Sequence, residues 1–391
     1  MTMMKTVNVS SIGSSGNNIS HSSTSPASKK TVHLIAAARP NFMKIAPLYH
    51  ALAGEKWVEP VIVHTGQHYD LNMSDAFFRD LNLPAPCIHL DIGSGTHAEQ
   101  TGGVMIAYEK VLMENKPDLV VVVGDVNSTV ACTLAAVKLG IKVAHLEAGL
   151  RSFDRTMPEE INRIVTDSIA DYLWTPSSDA DENLMHEGIA PEKISMVGNI
   201  MIDSLVMMTP AIRKETTQKD LGLVSQDYGV VTLHRPFNVD NPDILSNLCQ
   251  TLVRLSEQTV LVFPVHPRTA KNLREFGLYD LLDNAPKIIL TDPLGYKSFM
   301  NLIFGCKFVI TDSGGIQEET TYLRIPCLTL RPNTERPITI TQGTNKLSSP
   351  ERMESDLEEV MKKDFGSPPL FWDGKTAQRV IQAIKKIFLI M

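Results

Sequence analysis

Runs of consecutive apolar residues, rich in Val and Ile and separated by helix-length segments, recur from Thr31 almost to the end of the chain. The first seven are TVHLIAAA, PVIVHT, CIHLDI, DLVVVVGD, KVAHLEAG, YLWTP and KISMVGN. After a polar interval come YGVVTLHRP, TVLVFPVHP, KIILTDP, KFVITDSGG and IPCLTL. Continuous rather than alternating hydrophobicity marks strands covered on both faces, and helices between them mark parallel crossovers. The pattern therefore predicts an α/β protein made of two Rossmann-like, doubly wound domains.

Length agrees, since 391 residues with 43% hydrophobic content suit two domains of ordinary size better than one. The break falls in NIMIDSLVMMTPAIRKETTQKD, where a Met-rich apolar helix gives way to charged residues. This places an N-terminal domain at 31–203 and a second domain at 204–375. The segment 376–391 carries Val380, Ile381, Ile384, Ile387 and Phe388 at helical spacing and is expected to pack back on the first domain. Residues 1–30 are rich in Ser, Asn and Thr, hold few large apolar groups and read as a disordered tail.

Several function classes fall away on composition. A net charge of −7 argues against nonspecific nucleic-acid binding, which needs a basic surface. No apolar run approaches the roughly 20 residues of a membrane-spanning helix, and no secretory signal precedes the first strand, so a cytoplasmic protein without a membrane partner is expected. The five cysteines are scattered and never spaced C-x-x-C, which favours reduced thiols over disulfides or structural zinc.

In open parallel sheets ligands sit beyond the carboxyl ends of the strands, so the residues that follow each strand matter most. Arg39 and Lys44 follow the first and could meet a phosphate, or could be ordinary surface cations. Asp125 ends the fourth strand, where an N-cap is the plain alternative. Glu147 follows the fifth, before the small turn Ala148-Gly149. Glu159 and Glu160 open the next helix, with Arg163 a turn later, a pattern equally suited to helix-dipole pairing. Asp125, Glu147 and one of Glu159 or Glu160 can converge, and carboxylates sharing a crevice suit proton transfer because like charges separate their ionisations.

In the second half, His234-Arg235 and His266-Pro267-Arg268 end adjacent strands. Neither histidine has the ligand spacing of a metal site. Ser313, Gly314 and Gly315 form a strand-to-helix turn whose backbone N–H groups and helix dipole would face an anion. It is neither a Walker sequence nor a G-x-G-x-x-G fingerprint. Glu319, one turn into that helix, could accept from a ribose diol, and Arg336 could balance phosphate charge. An anion site on one half and carboxylates on the other describe a nucleotide-sugar enzyme.

The segments ARPNFMKIAP, GDVNST, HLEAGLRS, MPEEINR, GNIMID, TDSGGIQEE and TERPITITQGT stand in this order, and over residues 31–391 the chain resembles the non-hydrolysing UDP-N-acetylglucosamine 2-epimerases. That resemblance implies a GT-B fold with the active site in the interdomain cleft, a homodimer, and a UDP-sugar substrate without metal or other cofactor. It implies Asp125, Glu147, Glu159 and His234 as catalytic groups. It implies Arg39, Lys44, Ser313, Gly314, Gly315, Glu319 and Arg336 as UDP contacts, with Phe299 beside the uracil. Where many bacterial members read His-Arg-Arg-Glu-Asn, this chain has HRPFN, and GQHYD and QTGGV replace further residues of a regulatory substrate site; Gln67, Arg235 and His266 remain as its contacts. Alternative readings are a hydrolysing epimerase, an epimerase of a UDP-diacetamido sugar, a GT-B glycosyltransferase, and a silent nucleotide-sugar-binding protein.

Overall fold

The computed structural model describes residues 29–66, 78 and 80–389. The expected tail lies outside them except for Lys29 and Lys30. Seven strands form the first sheet: β1 (Lys30–Ala36), β2 (Val58–His64), β3 (Ile88–His89), β4 (Leu119–Val123), β5 (Val143–Leu146), β6 (Tyr172–Thr175) and β7 (Ile194–Met196). Their order is β3-β2-β1-β4-β5-β6-β7 and all pairings are parallel. A second parallel sheet holds β8 (Tyr228–Thr232), β9 (Val260–Pro264), β10 (Ile288–Thr291), β11 (Phe308–Thr311), β12 (Cys327–Thr329) and β13 (Asn345–Leu347), in the order β10-β9-β8-β11-β12-β13.

The continuous apolar runs are explained by burial on both faces. Every residue of β4 and of β11 is buried, because helices cover each sheet above and below. In each sheet the chain starts in the middle, builds outward, then reverses, at β1/β4 and at β8/β11. A crevice opens at such a switch point. These are the two Rossmann-like units that the pattern predicted. The strand absent from that reading is β13, three residues without an apolar run.

The helix Ile200–Ile212 joins the halves. It packs on the helix Arg39–Ala53 of the first half and on Tyr296–Gly305 and Gly314–Leu323 of the second. The compositional boundary at 203/204 falls inside this helix.

The C-terminal helix Thr376–Ile387 buries Val380, Ile381 and Ile384 and lies on Arg39–Ala53. Asp203 caps its start, accepting from Thr376 N at 3.1 Å and Ala377 N at 2.8 Å. Just upstream, Trp372 Nε1 donates to Pro176 O at 3.0 Å. Gly198, at φ +97°, lets Phe371 approach so closely that a β-carbon there would lie 2.2 Å from Phe371 O. Among the described residues no helix is long and apolar enough to cross a membrane.

Candidate active site between the two sheets

The helix Arg39–Ala53 follows β1 and aims Lys44 across the crevice. Lys44 Nζ pairs with a side-chain oxygen of Glu147, and both residues are 8% exposed. Arg39 opens that helix; its side chain lies outside the described residues, as does Gln67. Glu147 projects from the turn after β5 at φ +76°, a left-handed conformation that costs a non-glycine residue of the order of 1–3 kcal/mol and persists where its surroundings fix it.

The other oxygen of Glu147 lies 3.1 Å from Arg336 Nη2, on the opposite half of the molecule. Burial pushes the Glu147 carboxyl up, but the Lys44 and Arg336 charges outweigh it and hold the group below the usual carboxylate range. Arg336 also touches Glu335 and lies 2.9 Å from Glu318 through Nε. Asn199, in the link between the halves, donates to Glu318 Oε1 at 2.8 Å. A single guanidinium thus meets three carboxylates drawn from both halves.

Gly314 lets Arg336 approach the strand-to-helix turn closely: a β-carbon there would sit 3.1 Å from both Arg336 Nη1 and Glu335 Oε1. The position of Gly315 faces open space. Ser313 stands at the N-cap of the helix Gly314–Leu323.

Asp125 pairs with Arg163, and Arg163 Nε donates to Glu160 Oε2 at 3.0 Å. Glu160 is 1% exposed and also accepts from Ser152 N at 3.0 Å and Phe153 N at 2.9 Å. Its lone pairs are therefore committed to holding the loop Ser152–Phe153. Glu159 is half-buried and, among the described residues, its carboxylate forms no ion pair or hydrogen bond. Of the two glutamates, Glu159 is the one whose carboxylate is free to meet a ligand.

Asp312, fully buried after β11, accepts from His234 N at 2.9 Å and Arg235 N at 2.9 Å, and its Oδ1 lies 2.8 Å from His234 Nδ1. Burial pushes the Asp312 carboxyl up, yet the His234 contacts outweigh it and the group stays below its ordinary value. His234 is thereby oriented with Nε2 as its remaining ring nitrogen. The ring of His266 lies 5.4 Å from that of His234, and its Nδ1 accepts from Arg268 N at 3.2 Å. Partial burial and the neighbouring His234 lower the His266 pKa.

Glu319 is buried one turn into the helix Gly314–Leu323, where Tyr296 Oη donates to it at 2.6 Å. Burial pushes its carboxyl up to about 7, against the Tyr296 bond and with help from the Glu318 charge. Phe299 is half-buried on the helix that also carries Tyr296.

Groups to which sequence reasoning assigned no role at the site complete the cluster. Glu318, Glu335, Arg163 and Arg331 are all buried here, and the Glu160–Arg163 contact follows from their i, i+3 spacing on one helix face. Arg331 Nη1, Arg235 Nε and Glu318 Oε2 are buried without hydrogen-bond partners. Natural proteins rarely leave such groups unmatched, and a bound polar molecule is one way to satisfy them. Among the described residues no group of three His, Cys, Asp or Glu is placed to hold a metal. A cavity of about 800 Å³ lined by Arg213, Gln218, Lys307 and Arg324 lies at the amino ends of β8 and β11, away from this cluster.

Comparison with known proteins identifies the family. The family model for UDP-N-acetylglucosamine 2-epimerase matches residues 50–385. The UDP-N-acetylglucosamine 2-epimerase of Methanocaldococcus jannaschii is 43% identical over 358 residues, covering 90% of this chain and 98% of that one. Its crystal structure in complex with UDP-GlcNAc and UDP superposes with a TM-score of 0.81, covering 91% of this chain and 99% of the other. The UDP-2,3-diacetamido-2,3-dideoxy-D-glucuronate 2-epimerase of Pseudomonas aeruginosa is 38% identical, over 90% of this chain and 99% of its own. Carrying two parallel α/β units and a carboxylate–arginine cluster between them, the chain belongs to the UDP-N-acetylglucosamine 2-epimerase family.

Proposed function

We propose that the protein interconverts UDP-N-acetylglucosamine and UDP-N-acetylmannosamine at C2 without net hydrolysis. The base takes the C2 proton, the C2–H electron pair forms a C1=C2 bond, and the C1–O pair departs with UDP. The products are enzyme-bound 2-acetamidoglucal and UDP. Re-addition of UDP to C1 with protonation of C2 on the opposite face gives the epimer. No atom is gained or lost.

One observation carries this reading: Arg336 bridges Glu147 on the first half and Glu318 and Glu335 on the second, beside Gly314. A cation for a departing diphosphate therefore stands against a carboxylate for proton transfer. Asp125, Glu147 and Glu159 are assigned to proton transfer and to holding the sugar, and His234, oriented by Asp312, to the leaving phosphate. Ser313, Gly314, Gly315, Arg336, Lys44 and Arg39 are assigned to the diphosphate, Glu319 to the ribose and Phe299 to the uracil. Arg235 and His266 border the same crevice and are assigned to substrate contact. A weakly acidic C2 hydrogen needs a base and a cleft that retains both fragments, and a site walled by two domains supports that need.

We assign residues 31–203, with 376–391, to one domain and 204–375 to the other, and propose a cytoplasmic homodimer. Incubation with UDP-N-acetylglucosamine and separation of the nucleotide sugars tests the activity. A second UDP-hexosamine at constant total UDP-sugar is expected. Stoichiometric free UDP and free hexosamine would assign the hydrolysing reaction instead.

A further inference from the structure

Behind Glu147 lies a second buried network that the proposed chemistry does not use. His145, in β5, is fully buried, with Nδ1 at 2.6 Å from Asp167 Oδ1 and Nε2 at 2.8 Å from Gly124 O. Both of these neighbours are hydrogen-bond acceptors. Asp167 Oδ2 in turn accepts from Gly149 N at 3.1 Å and from Arg151 Nη1 at 2.8 Å. Arg151 grips Glu187 with Nε and Nη2, each at 2.7 Å.

The positions these bonds reach are informative. Gly124 immediately precedes Asp125, and Gly149 lies two residues after Glu147. Gly124, Glu147 and Gly149 all have positive φ, at +70°, +76° and +81°. Glycine adopts this region freely, whereas Glu147 holds it only where contacts fix it. One imidazole–carboxylate pair connects both turns, which carry the reacting carboxylates on neighbouring strands.

We propose that His145 and Asp167 are positioning residues for the epimerisation, fixing the Gly124 turn to the Gly149 turn and so setting the relation of Asp125 to Glu147. This rests on the assignment of those two carboxylates to proton transfer. Neither His145 nor Asp167 touches the substrate; both act through the backbone. A merely structural pair would affect stability and leave the turnover of folded protein unchanged.

His145→Asn keeps a donor toward Asp167 but is too short to reach Gly124 O, and Asp167→Leu keeps the approximate volume but removes the acceptors for His145 and Gly149 N. For folded variants, kcat is expected to fall about 100-fold, the scale set by small misplacements of reacting groups. KM, and UDP affinity by calorimetry, should stay within about threefold, because the diphosphate turn belongs to the other half. Amide exchange at 124–127 and 147–150 should quicken. Should both variants fail to fold, Glu187→Gln, at the half-exposed end of the network, is expected to lower kcat severalfold with KM unchanged. Unchanged kcat in the folded variants overturns the proposal, as does loss of UDP binding in step with kcat. Wild-type protein that does not epimerise would remove the functional reading, but unquickened exchange at the two turns overturns the tie whatever the wild type does.

Discussion

Lys44→Met isolates the electrostatics on which the site depends. Glu147 is buried between two cations, and the substitution removes one of them while preserving most of the side-chain volume. Breaking a buried ion pair from one side costs about 3–5 kcal/mol, because the surviving charge is left in a poor solvent. Arg336 remains 3.1 Å from Glu147, which puts the expected loss at the lower end, about 3 kcal/mol. Removing the carboxylate charge as well, in Lys44→Met/Glu147→Gln, should restore most of that loss, since two neutral partners leave no orphaned charge.

The assay is denaturant unfolding followed by tryptophan fluorescence. Trp57 and Trp174 lie in the first half and Trp372 docks onto it, so the signal reads the half that holds Glu147. Glu147 is held below its ordinary value, so its contribution is present above the unfolded carboxylate pKa, near 4.3, and is lost as pH falls through the folded value. The deficit of Lys44→Met should therefore be full at neutral pH and shrink in acid. A double variant no more stable than Lys44→Met, or a deficit independent of pH, would refute the reasoning.

Other substitutions separate the neighbouring glutamates and test the packing. Glu159→Gln should lower kcat by about 100-fold or more with unchanged stability, whereas Glu160→Gln, which weakens the bonds from Ser152 N, Phe153 N and Arg163, should cost about 1–3 kcal/mol in a denaturation curve. Glu319, raised to about 7 by burial, takes up its charge at cost as pH rises. Stability should therefore decline from near pH 4.3 to about 7, and Glu319→Gln should lack that slope in melts taken across the range. Gly198→Ala would force a β-carbon against Phe371 O, and is expected to release the C-terminal segment, seen as faster amide exchange over 376–384.

Much of this architecture is legible in the sequence because a doubly covered strand needs an uninterrupted apolar run, as in Leu119–Val123 and Phe308–Thr311. β13 escaped because Asn-Lys-Leu carries no such signal. Strand ends also singled out Lys44, Asp125, Glu147 and the Gly314 turn as candidates. Their partners were hidden, since Arg336 meets Glu147 across 189 positions of sequence and no local pattern encodes that contact. Glu318 and Glu319 show the same limit: adjacent on one helix, one faces Arg336 and the other Tyr296. His145 and Asp167 read as ordinary strand and helix residues until the fold brings them within 2.6 Å of each other.

Exchange at C2 during turnover in heavy water tests the central claim most directly. UDP-N-acetylglucosamine incubated with the protein in deuterium oxide and followed by NMR should give UDP-N-acetylmannosamine carrying deuterium at C2, with deuterium entering the recovered substrate as equilibrium is approached. Epimer formed with the C2 hydrogen retained, or no epimer at all, would contradict it.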